Sequence, residues 1–228
     1  MIPIRDANPS RSFPIMTIGL IIINVIIFLF EVSAGRNLDV LFNKFALIPD
    51  KYFSLAARGG FNYIERFYPF ITSQFLHGGW MHIIGNMWFL WIFGDNIEDR
   101  LGHFKFVLFY LLCGVAAGLT HVYTNPSSIV PTVGASGAIA GVMGAYTILY
   151  PRAKVLTLII FFFFIRFIEL PAFIFLGVWF FIQFLSGAAT MAGGGAHAGV
   201  AWWAHIGGFV VGIILILILP RKRSHFSL

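Results

Sequence analysis

No feature constrains this chain more than the run FPIMTIGLIIINVIIFLFEVSAG at 13–35, whose only charged residue is Glu31. A helix crossing the hydrocarbon core of a bilayer needs about 20 apolar residues. The apolar part of a cleaved signal peptide needs only about 7–15. The run is therefore expected to be an uncleaved membrane-spanning helix. The rest of the chain agrees, with 59% hydrophobic residues, 11% charged residues and a mean hydropathy of +0.87. Such values exceed what a soluble domain of 228 residues needs for its core.

Further apolar segments follow at 80–94, 104–123, 136–150 and 202–219, the last stopped by PRKR. The stretch 155–187 is apolar almost throughout but too long for one span at about 1.5 Å per residue. RFIELP interrupts it, and Pro171 is suited to open a helix. VLTLIIFFFF is accordingly expected to be interfacial or re-entrant, with Arg166 and Glu169 one helical turn apart and Pro171–Ser186 the fifth span. The expected fold is all-α and polytopic. It has six transmembrane helices over 13–220, a long, partly embedded first loop at 36–79, a cytoplasmic tail at 1–12 and a basic tail at 221–228.

The formal net charge of +6 does not point to nucleic acid, because the basic residues sit at the ends of apolar segments without an interleaved aromatic stripe. With the N-terminus inside, Arg5, Arg11, Arg100, Lys105, Arg152, Lys154, Arg166, Arg221, Lys222 and Arg223 fall on the inner side. The outer loop 36–79 holds only Arg36, Lys44, Lys51, Arg58 and Arg66. That asymmetry predicts a cytoplasmic N-terminus, and the expected setting is the cell membrane of a prokaryote. The single cysteine, Cys113, excludes a disulfide framework and a thiolate metal site. No cofactor is implied.

Polar side chains inside apolar spans are costly and mark function. Ser136 opens the fourth span, and His205 follows Trp202 and Trp203 at the start of the last one. His82 and Asn86, four residues apart, share a helix face. Gly137 and Gly141 beside the serine, and Gly208 and Gly212 below the histidine, would let two backbones approach closely in lipid. The fourth span has about 15 residues, roughly 22 Å of helix against about 30 Å of hydrocarbon, so its first residue should lie below the outer surface. The tryptophans put His205 at a similar depth. An imidazole can remove the hydroxyl proton of a serine. Unpaired N–H groups at the helix start, with His82 and Asn86, can receive an oxyanion. Asp and Glu are absent from the outer half of the late spans, so a Ser–His dyad is expected rather than a triad.

HGGWMHIIGN, GASG and AHIGG together resemble the motifs of the rhomboid intramembrane serine proteases, over about Tyr68 to Pro220. The resemblance implies Ser136 as nucleophile, His205 as general base, and His82, Asn86 and the Ser136 N–H at the oxyanion site. It implies structural roles for His77 and, within GDNIEDRLG, for Glu98 and Arg100. Tyr68-Pro69 stands where many members have a Trp-Arg pair, and Ala140 where some stack an aromatic on the base. The G-x-S-x-G pattern of soluble hydrolases is not met, because position 138 is alanine.

The expected function is hydrolysis of single-pass or polytopic membrane protein substrates near the outer face. The alternative is an inactive relative that binds membrane clients; a transporter would need midplane charges or inverted repeats. His121, His103 and His197 are expected to be loop, interfacial or solvated residues, and Phe161–Phe164 lipid-facing bulk. The Gly- and Ala-rich stretch 187–201 is expected to be a lid over Ser136.

Overall fold

A computed structural model describes residues 1–57, 63–161, 164–192 and 201–219. The chain begins with strand β1 (Ile2–Asp6) and the long helix α1 (Ile15–Ala34). Short helices α2 (Leu38–Phe45), α3 (Pro49–Ala57), α4 (Tyr63–Phe67) and α5 (Pro69–Thr72) build the first loop. The bundle continues with α6 (Trp80–Leu101), α7 (His103–Thr124) and α8 (Ser136–Leu149). Strands β2 (Lys154–Phe161) and β3 (Phe164–Pro171) come next, then α9 (Ala172–Ala192) and α10 (Trp202–Ile218). The architecture is mostly helical and polytopic, as expected. Among the described residues, three stretches are long and apolar enough to cross a membrane: Ile15–Phe45, His103–Thr124 and Ala172–Met191. Ser136–Leu149 and Trp202–Ile218 are shorter apolar helices.

Glu98 explains how α1 meets α6. Its buried carboxylate accepts from the backbone N–H groups of Met16 (2.9 Å) and Thr17 (2.7 Å) and from the Thr17 hydroxyl (2.7 Å). It thereby satisfies the orphan donors in the first turn of α1 and places a negative charge at the positive end of that helix. His103 Nδ1 lies 2.5 Å from the same carboxylate, so this histidine is tied to the bundle rather than merely interfacial.

α8 and α10 cross with almost no space between their backbones. A Cβ on Gly208 would lie 2.0 Å from the Gly137 carbonyl oxygen, and one on Gly212 would lie 2.1 Å from that of Gly141. Gly144 is equally tight, at 2.2 Å from the Phe209 carbonyl. The two G-x-x-x-G steps are thus the surface on which the helices meet.

The fold is not all-α as expected: the stretch that holds VLTLIIFFFF and RFIELP forms two strands. β2 and β3 pair antiparallel from Lys154↔Pro171 to Phe161↔Phe164, and β1 adds antiparallel to the other edge of β2. Arg166 and Glu169 therefore lie along a strand, not one helical turn apart. Two matched apolar runs rich in β-branched and aromatic residues favour a sheet, but periodicity cannot separate such runs from buried helix. Pro3, which has no N–H to donate, sits on an edge strand as it must.

The expected tail at 1–12 is accordingly structured. The Trp88 indole N–H donates to the Pro3 carbonyl at 2.6 Å. Asp6 accepts from the Tyr146 hydroxyl at 2.5 Å and from Asn96 Nδ2 at 3.1 Å. Burial, helped by neighbouring Asp95 and opposed by the Tyr146 hydrogen bond, pushes the Asp6 carboxyl up to about 6.

Two boundaries also move. The second apolar segment does not end at 94: α6 runs on through GDNIEDRL to Leu101. α9 continues six residues past Ser186, so 187–192 of the expected lid are helical. The remaining 193–200, with His197, lie outside the described residues, as does the basic tail 221–228.

Candidate active site

Ser136 is the first residue of α8, preceded by Ala135 at the N-cap. Its approach is fixed by backbone pairing. Leu47 and Thr132 exchange hydrogen bonds of 3.1 and 2.8 Å, and the Gly134 N–H donates to the Ser73 carbonyl at 2.9 Å. Gly134 takes φ +122°, a conformation that side-chain-bearing residues rarely adopt. The N–H groups of the first turn of α8 have no intrahelical acceptor and are open to a negative group.

His205 lies in the first turn of α10, buried to 9% exposure. Its Nε2 is 2.8 Å from Ser136 Oγ. The glycine crossing sets this distance, because Gly208 is one turn below His205 and its carbonyl partner Gly137 adjoins Ser136. On the other side of the ring, Nδ1 lies 2.6 Å from Gln183 Oε1 of α9. An amide oxygen only accepts, so with Oε1 toward the ring the proton belongs on Nδ1. Nε2 then keeps its lone pair toward the serine hydroxyl. Trp179, one turn before Gln183, places its ring 5.8 Å from the imidazole, and Trp202 meets it edge-on at 6.5 Å.

Sequence reasoning missed both α9 residues. No carboxylate stands in the outer half of the late spans to orient the ring, and Gln183 lies in a segment that its hydropathy alone marks as a span. A polar amide within an apolar span was the available signal.

His82 and Asn86 stand on the first two turns of α6. The Gly78 N–H points at His82 Nδ1 over 3.4 Å, which leaves Nε2 to carry the ring proton. That Nε2 would lie 2.6 Å, and Asn86 Nδ2 3.5 Å, from a Cβ placed on Gly134. Both side chains thus converge on the loop just before Ser136. Asn86 Nδ2 is buried with no protein acceptor among the described residues, so an amide donor stands free at this place. His77 packs edge-on against His82 with centroids 5.2 Å apart, and its backbone N–H donates to Glu31 at 3.1 Å. Half-buried His121 belongs to α7, with its Nδ1 3.4 Å from Asn125 Nδ2, and is not a loop residue.

A helical membrane protein with a half-buried serine set against a buried histidine at one end of a glycine-packed helix crossing is the class that fold and site define. A rhomboid domain model matches residues 65–222. The chain belongs to the rhomboid family. It is 32% identical to Rhomboid-like protein 11, chloroplastic, of Arabidopsis thaliana, over 69% of this chain and 54% of that protein. With Rhomboid protein 1, mitochondrial, of Saccharomyces cerevisiae it shares 30% identity, over 67% of this chain and 42% of that protein. Rhomboid protease GluP of Bacillus subtilis is 30% identical over 60% of this chain and 24% of its own length. The chain thus spans about half, or less, of the length of these relatives.

Proposed function

We propose that this protein is an intramembrane serine endopeptidase that cuts transmembrane segments of other membrane proteins near the outer face. The observation that carries the proposal is the 2.8 Å approach of His205 Nε2 to Ser136 Oγ. As Oγ attacks a substrate carbonyl carbon, its proton passes to Nε2. The resulting oxyanion lies toward the Ser136 N–H, His82 Nε2 and Asn86 Nδ2. The imidazolium returns its proton to the departing amine, and water, activated by the same nitrogen, then hydrolyses the acyl ester.

In the same proposal the N-terminus is cytoplasmic, residues 13–220 form the membrane domain, and lipid surrounds it. The setting is a prokaryotic cell membrane, which the likeness to the Bacillus subtilis protein supports and the names of the chloroplastic and mitochondrial relatives do not.

The test uses purified protein in liposomes with a model transmembrane substrate. Ser136→Ala and His205→Ala should each abolish cleavage and labelling by a fluorophosphonate while leaving the melting curve in place. Undiminished cleavage by Ser136→Ala would refute the assignment. A wild-type protein that binds the substrate without cutting it, and takes no label, would be a client-binding relative.

A further inference from the structure

We infer that Gln183 is the positioning residue of the base, so that the Ser–His pair works with its imidazole oriented by an amide carried on α9. The inference rests on the protease proposal and adds what holds the ring. Gln183 is 7% exposed, on an apolar helix. Its Oε1 lies 2.6 Å from His205 Nδ1. An imidazole free to rotate or change tautomer presents Nε2–H to the serine for part of the time, and in that form it cannot take the hydroxyl proton. An acceptor fixed on Nδ1 removes that form.

The amide also remains the right partner during the reaction. When Nε2 takes the serine proton, Nδ1–H goes on donating to Oε1, and no proton moves to the glutamine. The developing positive charge faces an amide dipole. No charged partner has to be buried for this, whereas a carboxylate at this depth would be costly unless it stayed paired.

α9 holds the amide in place by packing on α10. Phe180 meets Phe209 at 4.8 Å and Trp179 meets it at 6.2 Å, so Gln183 is referenced to the helix that carries His205. Trp179 covers the imidazole from the turn before Gln183. Together the two residues supply from α9 the ring support that Ala140 on α8 cannot.

The experiment compares wild type, Gln183→Leu and Gln183→Glu in liposomes. It records kcat and KM for the transmembrane substrate and the ¹⁵N spectrum of the labelled imidazoles, with His205 assigned by difference from His205→Ala. In the wild type the His205 proton should reside on Nδ1. Gln183→Leu keeps bulk but removes the acceptor. It should move the proton to Nε2 and thereby lower kcat about 10- to 100-fold, the population shift expected when the hydrogen bond that favours Nδ1–H is lost, with little change in KM. Gln183→Glu, which retains an acceptor at the same reach, should recover most of the lost kcat.

A wild-type His205 protonated on Nε2 would overturn the inference. So would Gln183→Leu with undiminished kcat, while Ser136-dependent cleavage by the wild type kept the protease proposal standing. Absence of that cleavage with the Nδ1 proton in place would instead refute the protease proposal and leave the orienting contact. Should Gln183→Leu fail to fold, the wild-type spectrum decides alone.

Discussion

The distance between Ser136 and His205, the proposed nucleophile and base, can be tested without touching either. Gly208→Ala adds one carbon that would sit 2.0 Å from the Gly137 carbonyl oxygen and 3.0 Å from its carbon, both backbone atoms that cannot rotate away. A close carbon–oxygen contact needs about 3.3 Å, so α8 and α10 must separate locally by about 1.3 Å. Ser136 adjoins Gly137, and His205 lies one turn above Gly208. That movement stretches the 2.8 Å contact beyond hydrogen-bonding range. Overpacking of this kind typically costs about 1–3 kcal/mol of stability, and a 1 Å misplacement of reacting groups can cost about 10²-fold in rate. The assay pairs cleavage of a transmembrane substrate with thermal unfolding in the same detergent. Gly177→Ala on α9 is the control, because a Cβ there meets nothing within 4 Å; it should be neutral or slightly stabilising, by about 0.5–1 kcal/mol. Gly208→Ala with wild-type rate and melting temperature would refute the claim that the glycine crossing sets the catalytic distance.

Asn86→Ala and His82→Ala should each lower kcat by about 10²–10³, the usual cost of one oxyanion donor, with KM little changed. A rise in KM alone would mark the residue as a substrate contact instead. The anchorage of β1 should depend on pH. Asp6 titrates near 6 in the fold against 3.8 for the free group, so its contribution is fully present below about pH 4 and is lost as pH rises through 6. The protection factors of the β1 amides, exchange rates corrected for their intrinsic pH dependence, should therefore rise on acidification through this window. Asp6→Asn should flatten the dependence, and an unchanged pH profile in that variant would show that another group governs it.

The helical spans were legible because each imposes a hydropathy that nothing else in a soluble chain requires. Ser136, His205, His82 and Asn86 were legible as costly polar groups next to small residues. The sheet was not, for a definite reason. β1 lies some 150 residues before its partner β2, and no local periodicity reveals a pairing at that separation. The N-terminal segment therefore looked like a polar tail, although Pro3, Asp6 and Asn8 have partners in Trp88, Tyr146 and Asn96. Gln183 escaped for the opposite reason. It stands in a stretch that is apolar almost throughout, where hydropathy alone assigns a span and says nothing about which side chain faces the site.

The shortness of α8 ties the membrane to the chemistry. Its 14 residues give about 21 Å of helix, less than the roughly 30 Å of hydrocarbon. In the proposed membrane setting, with its far end held by the Tyr146–Asp6 bond, Ser136 would lie below the surface. The chain before it would then be irregular backbone at a depth where water is scarce, which a bilayer tolerates only if protein satisfies its polar groups. It does so here. Thr132 pairs with Leu47, Asp50 donates to Ser128, and Gly134 donates to Ser73, so the first loop and the turn before α6 supply the bonds that water would otherwise make. The same contacts that make the loop admissible bring Gly134 under His82 and Asn86 and deliver Ser136 to His205. The first loop, at 36–79, is therefore part of the site's construction, and in the proposed protease the depth of Ser136 follows from a helix too short to span.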